Sequence, residues 1–233
     1  MIQQLISRNK SFNFLNYTQF LGALNDNIFR GLVVYYLIDL LGSTESSSIS
    51  SLAGAVFVAP FLLFSYFSGI LADRFNKDKI IRSSKKSELF IMLAACIVFM
   101  LKIPFLVYGL LFCMALQSTF FGPAKYSIIA EIVPGNNLLK ANGKITLYTY
   151  VAIIFGTFLA AKITDLTGRN FIIANLLCVS VSILGIYCSK QIKAFPKEKS
   201  RPTSQDYLPP AQNFRELIYS IHRTLLMKTC LVA

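Results

Sequence analysis

The sequence predicts an all-α integral membrane protein of six transmembrane helices with both ends in the cytoplasm. Three observations carry this. Of its 233 residues, 55% are hydrophobic and only 15% charged, against about 25% charged in an ordinary soluble domain. Mean hydropathy is +0.56, and the apolar residues come in long blocks near the roughly 20-residue length a bilayer core requires. The Lys and Arg residues gather between alternate blocks, as the positive-inside rule demands.

The elements follow in order. Residues 1–11 form a cytoplasmic N-terminus. Six spans are expected near 12–41, 50–72, 87–102, 104–123, 144–163 and 170–189, making a half-domain over 12–190. The first block is too long for a cleaved leader, is broken by Asn25 and Asp26, and lacks a small-residue cleavage site. Nineteen of the 23 Lys and Arg fall on one side of this arrangement. Lys102, Lys162 and Arg169 fall on the other, and Arg30 lies inside span 1. That asymmetry places both termini in the cytoplasm. Residues 191–228 read as a basic cytoplasmic linker with Pro196, Pro202, Pro209 and Pro210. Within it Phe214, Leu217, Ile218, Ile221 and Leu225 recur at helical spacing. They form either an amphipathic helix on the anionic inner leaflet or a solvated linker helix. Residues 229–233 look like the truncated start of a seventh span.

Several function classes drop out. A net charge of +12 invites a nucleic-acid reading, but the basic residues sit between apolar blocks and serve orientation instead. The five Cys form no CxxC pair, and the single His222 lies in a polar segment. Neither a metal site nor a disulfide framework is expected. No phosphate-binding Gly loop, HExxH, GxSxG or paired catalytic carboxylates are present. The expectation is a protein without cofactor, metal or catalytic residues.

Span 1 carries the chemistry. On a helix of 100° per residue, Asn16, Gln19, Gly22, Ala23, Asp26 and Arg30 share one stripe. Asp26 and Arg30 are four apart and can pair. Intramembrane charges face a bundle interior or a water-filled path, so the stripe is either the polar wall of a substrate pathway or a structural ion pair between helices. At the end of span 2, Gly69 allows close helix approach, and Asp73 can cap a neighbouring helix or meet a cation. In span 5, Thr146, Thr149 and Tyr150 are weaker polar candidates, and Gly156, Ala160 and Ala161 read as helix packing.

The stretch Gly69-Ile70-Leu71-Ala72-Asp73-Arg74, with Lys77 and Lys79 beyond it, resembles the loop motif of the major facilitator superfamily. Gly69, Asp73 and Arg74 match that conformational motif. Asn76 stands where a Gly is usual, and Asp78 interrupts the basic run. Residues Gln19 to Asn27 in span 1 and Phe121-Gly122-Pro123-Ala124-Lys125-Tyr126 in span 4 are similar to the bacterial lysophospholipid transporter branch. That transporter domain also occurs fused to acyltransferase and acyl-carrier-protein ligase domains. The resemblance covers residues 12–190 and implies the N-terminal half of a major facilitator fold, a 3+3 inverted repeat. A short echo of the Gly69–Lys77 motif at 161–169 agrees with such a repeat.

The resemblance implies inward movement of lysophospholipid across a bacterial inner membrane, toward the leaflet where it is re-acylated. It implies that Asp26 and Lys125 face the central cavity. Asp26 with Asn25 and Asn27 can meet an ammonium group, and Lys125 beside Tyr126 a phosphate. Gln19 and Arg30 complete the expected substrate-binding set. Lys125 has a second reading as an anchor that snorkels to the interface, and Gly122-Pro123 is expected to bend or end span 4. The expected partners are lysophospholipid, membrane lipids, a second transporter half or second copy, and a phospholipid acyltransferase. Two alternatives stand beside this. One is an ion-coupled drug or small-solute exchanger with Asp26 as coupling acid. The other is a non-transporting truncated remnant.

Overall fold

The computed structural model describes the backbone of residues 2–193 and the side chains of residues 8–193. The expected amphipathic helix and seventh-span start lie outside the described residues. Six long helices appear in order: α1 (Ile2–Leu41), α2 (Ser46–Arg74), α3 (Lys77–Leu101), α4 (Pro104–Ile132), α5 (Leu138–Leu166) and α6 (Phe171–Lys190). Among the described residues there is no strand. Short 3-10 turns at Ser43–Glu45 and Gly135–Asn137 precede α2 and α5.

The turns have simple causes. Gly42 takes a left-handed φ of 103° and closes α1 while its N–H reaches the Ile38 carbonyl. Lys102 is left-handed at the end of α3, and Pro104 occupies the first turn of α4, where it has no backbone bond to lose. At the α5–α6 turn, Gly168 and Arg169 are both left-handed. Asn170 then caps α6 by accepting a hydrogen bond from the Ile173 N–H at 3.2 Å.

Three helices depart furthest from their expected bounds. α1 has 40 residues, about 60 Å at 1.5 Å per residue, and so is far longer than the ~30 Å core of a bilayer. α3 begins at Lys77, ten residues before the expected span, so Lys79, Arg82, Lys85 and Lys86 are helical. α4 neither ends nor breaks at Gly122-Pro123; it runs through Pro123 to Ile132. Among the described residues, four helices are long and apolar enough to cross a membrane by length and composition: α2, α4, α5 and α6. α1 is diluted by its polar stripe, and α3 by the charges of its first three turns.

α1 lies at the centre, packed on α5, α6 and α4; α2 pairs with α4, and α3 with α4 and α6. The α1–α5 seam is made close by glycine. A Cβ on Gly156 would lie 2.8 Å from the Leu24 carbonyl oxygen and 2.9 Å from the Asn27 Cβ, and one on Gly31 would collide with Ala160. The expected packing role of Gly156 and Ala160 is therefore met. No described residue comes within 4 Å of where a Cβ on Gly69 would lie, so Gly69 serves no close approach within these helices. One apolar core gathers Phe29, Leu32, Met92, Leu111 and Met114, with Tyr36, Phe99 and Phe171 stacked at its end. A second gathers Leu15, Ile81, Ile128, Ile132 and Ile145 toward the α2–α3 turn. Large apolar residues also face outward: Leu62 and Leu63 on α2, Phe90 and Ile97 on α3, Ile154 and Phe158 on α5. An apolar exterior on several helices marks contact with lipid or protein.

Candidate functional site

Between the two apolar cores lies a polar layer built from α1, α3, α4 and α6. Its centre is a residue the sequence reading did not single out. Glu88 on α3 is 1% exposed. Its Oε2 accepts from Lys85 Nζ at 2.5 Å, and its Oε1 accepts from Asn25 Nδ2 at 2.7 Å and from Ser182 Oγ at 3.3 Å. Asn25 Nδ2 also donates to Ser182 Oγ at 3.0 Å. One carboxylate thus ties α3 to α1 and α6.

Lys85 is 3% exposed. The absence of side chains at Gly22 and Gly185 makes its room, since a Cβ on Gly22 would collide with its ammonium and one on Gly185 would sit 3.4 Å from its Cδ. The ammonium also lies 5.3 Å from the Phe121 ring centroid. Lys85 is therefore not the loop anchor the charge count took it for. Its signal was present in the sequence: Ile81, Ser84, Lys85, Glu88, Met92, Ala95 and Phe99 share the inward stripe of α3. Reading 77–86 as loop broke that stripe.

The span 1 stripe forms, but its members meet different helices. Asp26 accepts from Ser118 Oγ of α4 at 2.7 Å through Oδ2. Its Oδ1 is buried and has no hydrogen-bond partner among the described residues. The expected Asp26–Arg30 pair does not form, because the Arg30 guanidinium lies over the Phe57 ring of α2, 5.4 Å from its centroid. Gln19 donates to Thr149 Oγ1 of α5 at 2.8 Å, and Asn27 donates to its own helix at the Ala23 carbonyl. Asn25 faces Glu88, 100° around α1 from Asp26. The three residues Asn25, Asp26 and Asn27 therefore do not converge on one ligand group. Asp26 is a buried carboxylate with no ion pair among the described residues.

Lys125 is buried at 8% exposure, two turns along α4 from Ser118, about 10 Å away on the same helix face. Its ammonium lies 4.5 Å from the ring centroid of Tyr126, which is itself exposed. Because α4 continues past it, Lys125 is not at a helix end. Asp26 and Lys125 thus lie along one α1–α4 seam, the acid near its middle and the base toward the α2–α3 turn. At that end Lys77 pairs with Glu131 of α4 at 2.7 Å, and Asp78 pairs with Arg82 at 3.5 Å. Asp73 and Arg74 are exposed, and Asp73 caps no described helix. At the opposite end Arg169 joins Asp39 of α1 at 2.6 Å.

Apolar helices facing outward around a buried polar seam define a membrane-embedded helical bundle. The model of the Major Facilitator Superfamily matches residues 15–232, and the chain belongs to that family. Curated relatives include the "Lysophospholipid transporter LplT" of Photorhabdus laumondii, 27% identical over 202 residues, covering 85% of this chain and 47% of the relative. Those of Serratia proteamaculans and Escherichia coli O1:K1 are 29% and 30% identical, each covering 76% of this chain and 42% and 43% of the relative. The chain thus spans less than half the length of the curated relatives it matches. Among solved structures, a peptide transporter POT mutant in complex with alafosfalin superposes with TM-score 0.59 at 18% identity, over 95% of this chain and 46% of that one. The same transporter mutant with sulfate gives 0.57 at 16% identity. These likenesses concern the fold alone.

Proposed function

We propose that the chain supplies the N-terminal half of a secondary transporter that moves lysophospholipid across a bacterial inner membrane toward the cytoplasmic leaflet, where an acyltransferase re-acylates it. In this reading residues 12–190 form six spans arranged as two inverted three-helix repeats, with both termini cytoplasmic and residues 191–228 as the linker. Alternating access rocks two such halves about a site near the midplane. The opposing wall comes from a second six-helix half or a second copy.

The observation that carries the reading is Asp26. It is an acid within a lipid-facing bundle, held by one hydroxyl and paired with no cation among the described residues. Such an acid is retained for a ligand or an ion. It suits the ammonium of an ethanolamine head group, while Lys125, with Tyr126 at its side, suits the phosphate. Gln19 and Arg30 brace α1 against α5 and α2. Gly69, Asp73 and Arg74 act at the cytoplasmic turn during rocking. The relatives' name supplies the cargo class.

The test is uptake into proteoliposomes of the full gene product, with labelled lysophosphatidylethanolamine, a dipeptide and a cationic dye as separate cargoes. Carriage of the lysophospholipid without an imposed ion gradient is expected. Carriage of the dipeptide or dye alone, driven by a proton or sodium gradient, assigns the protein to ion-coupled exchange instead.

A further inference from the structure

α2 and α3 touch little beyond their connecting turn. A cleft of about 360 Å³ opens there, between the C-terminal end of α2, the first three turns of α3 and the middle of α4. That is at the small end of the roughly 300–1,000 Å³ typical of ligand pockets. One wall is polar: Lys79, Ser83 and Ser87 line it at four-residue steps along one face of α3, about 6 Å apart. Lys79 makes no ion pair among the described residues. The other wall is apolar and includes Phe75 and Phe120. Gln117 lies at the inner end. It is 7% exposed, and its Oε1 has no hydrogen-bond partner among the described residues. Its Nε2 donates to Ser118 Oγ at 2.8 Å, and that hydroxyl donates to Asp26. The cleft therefore ends one side chain away from the candidate substrate acid.

A cation, three serine hydroxyls (Ser83, Ser84 and Ser87), an unfilled buried acceptor and an aromatic wall make a specific chemical demand. We infer that this cleft binds a single-chain phospholipid, distinct from the Asp26–Lys125 seam, as the cargo passes between the protein and the leaflet on the α2–α3 side. Lys79 and Ser83 take the phosphate. A small turn of the Gln117 carboxamide lets its oxygen accept from the free glycerol hydroxyl. A diacyl phospholipid has that hydroxyl esterified and offers no donor there, and a site built to bond a hydroxyl rejects the analogue that lacks it. The acyl chain runs along Phe75 and Phe120. The inference rests on the lysophospholipid reading above and adds a second station to it.

The test is photolabelling of the full gene product in proteoliposomes with lysophosphatidylethanolamine carrying a diazirine in its chain. A matched diacyl phosphatidylethanolamine probe and peptide mapping complete the design. Labelling of the peptides holding Phe75 and Phe120 by the single-chain probe is expected, competed by unlabelled lysophospholipid and not by diacyl lipid. Lys79→Gln and Gln117→Leu should each lower it about tenfold, the scale of one lost hydrogen bond. Equal labelling by both probes overturns the inference, because the cleft then holds ordinary bilayer lipid. Competed labelling confined to peptides around Asp26 overturns it while leaving the transport reading intact. No competed labelling anywhere, together with no uptake of lysophospholipid, overturns both.

Discussion

At the scale of single residues, the polar layer contains two kinds of charge. Lys85 and Glu88 neutralise each other and are fully enclosed; Asp26 forms no direct ion pair among the described residues. A buried pair is costly to break and cheap to replace as a pair. Glu88→Gln or Lys85→Met alone should therefore lower the stability of the protein in detergent by about 3–5 kcal/mol. The double substitution Lys85→Met with Glu88→Leu should recover most of that loss, read as thermal unfolding of the purified chain. The stripe of Gln19, Gly22, Asp26 and Arg30 is legible in the sequence because helical periodicity is a local property. Which neighbour each residue meets is not. Arg30 stacks on Phe57 and Asn25 turns to Glu88 because of contacts 27 and 63 positions away, which spacing within one helix does not encode.

At the scale of elements, hydropathy finds the apolar half of α3 and misses its charged half. Lys85 looks like a loop charge, separated from Glu88, until the helix is continued back to Lys77. The same bias ends span 4 at Pro123. A proline forfeits one backbone bond and kinks a helix, yet membrane helices tolerate it when neighbours re-satisfy the freed group, and α4 continues for nine residues beyond it. The close α1–α5 contact, by contrast, is legible from small residues alone. Gly156→Ala would push a methyl against the backbone of α1 at Leu24. It should cost about 1–3 kcal/mol as overpacking, even though Ala is the better helix former. Gly143→Ala, in open space on the same helix, should instead be neutral or gain about 0.5–1 kcal/mol. Comparing the two unfolding midpoints isolates the seam from helix propensity.

At the scale of the whole molecule, the apolar exterior and the family match agree on a membrane-embedded bundle of the Major Facilitator Superfamily with α1 at its centre. The fold class was legible because a bilayer imposes it on composition. The cleft beside α3 was not, because it depends on how far α2 and α3 diverge. The central claim is that Asp26 serves a lysophospholipid. It is tested most directly by measuring movement of labelled lysophosphatidylethanolamine between leaflets in proteoliposomes of the full gene product, comparing wild type with Asp26→Asn. The account predicts wild-type movement well above protein-free vesicles and a loss of about tenfold or more in Asp26→Asn, the cost of removing a charge-assisted contact of about 1.5–3 kcal/mol. Movement unchanged by Asp26→Asn, or none above protein-free vesicles with the wild type, would contradict it.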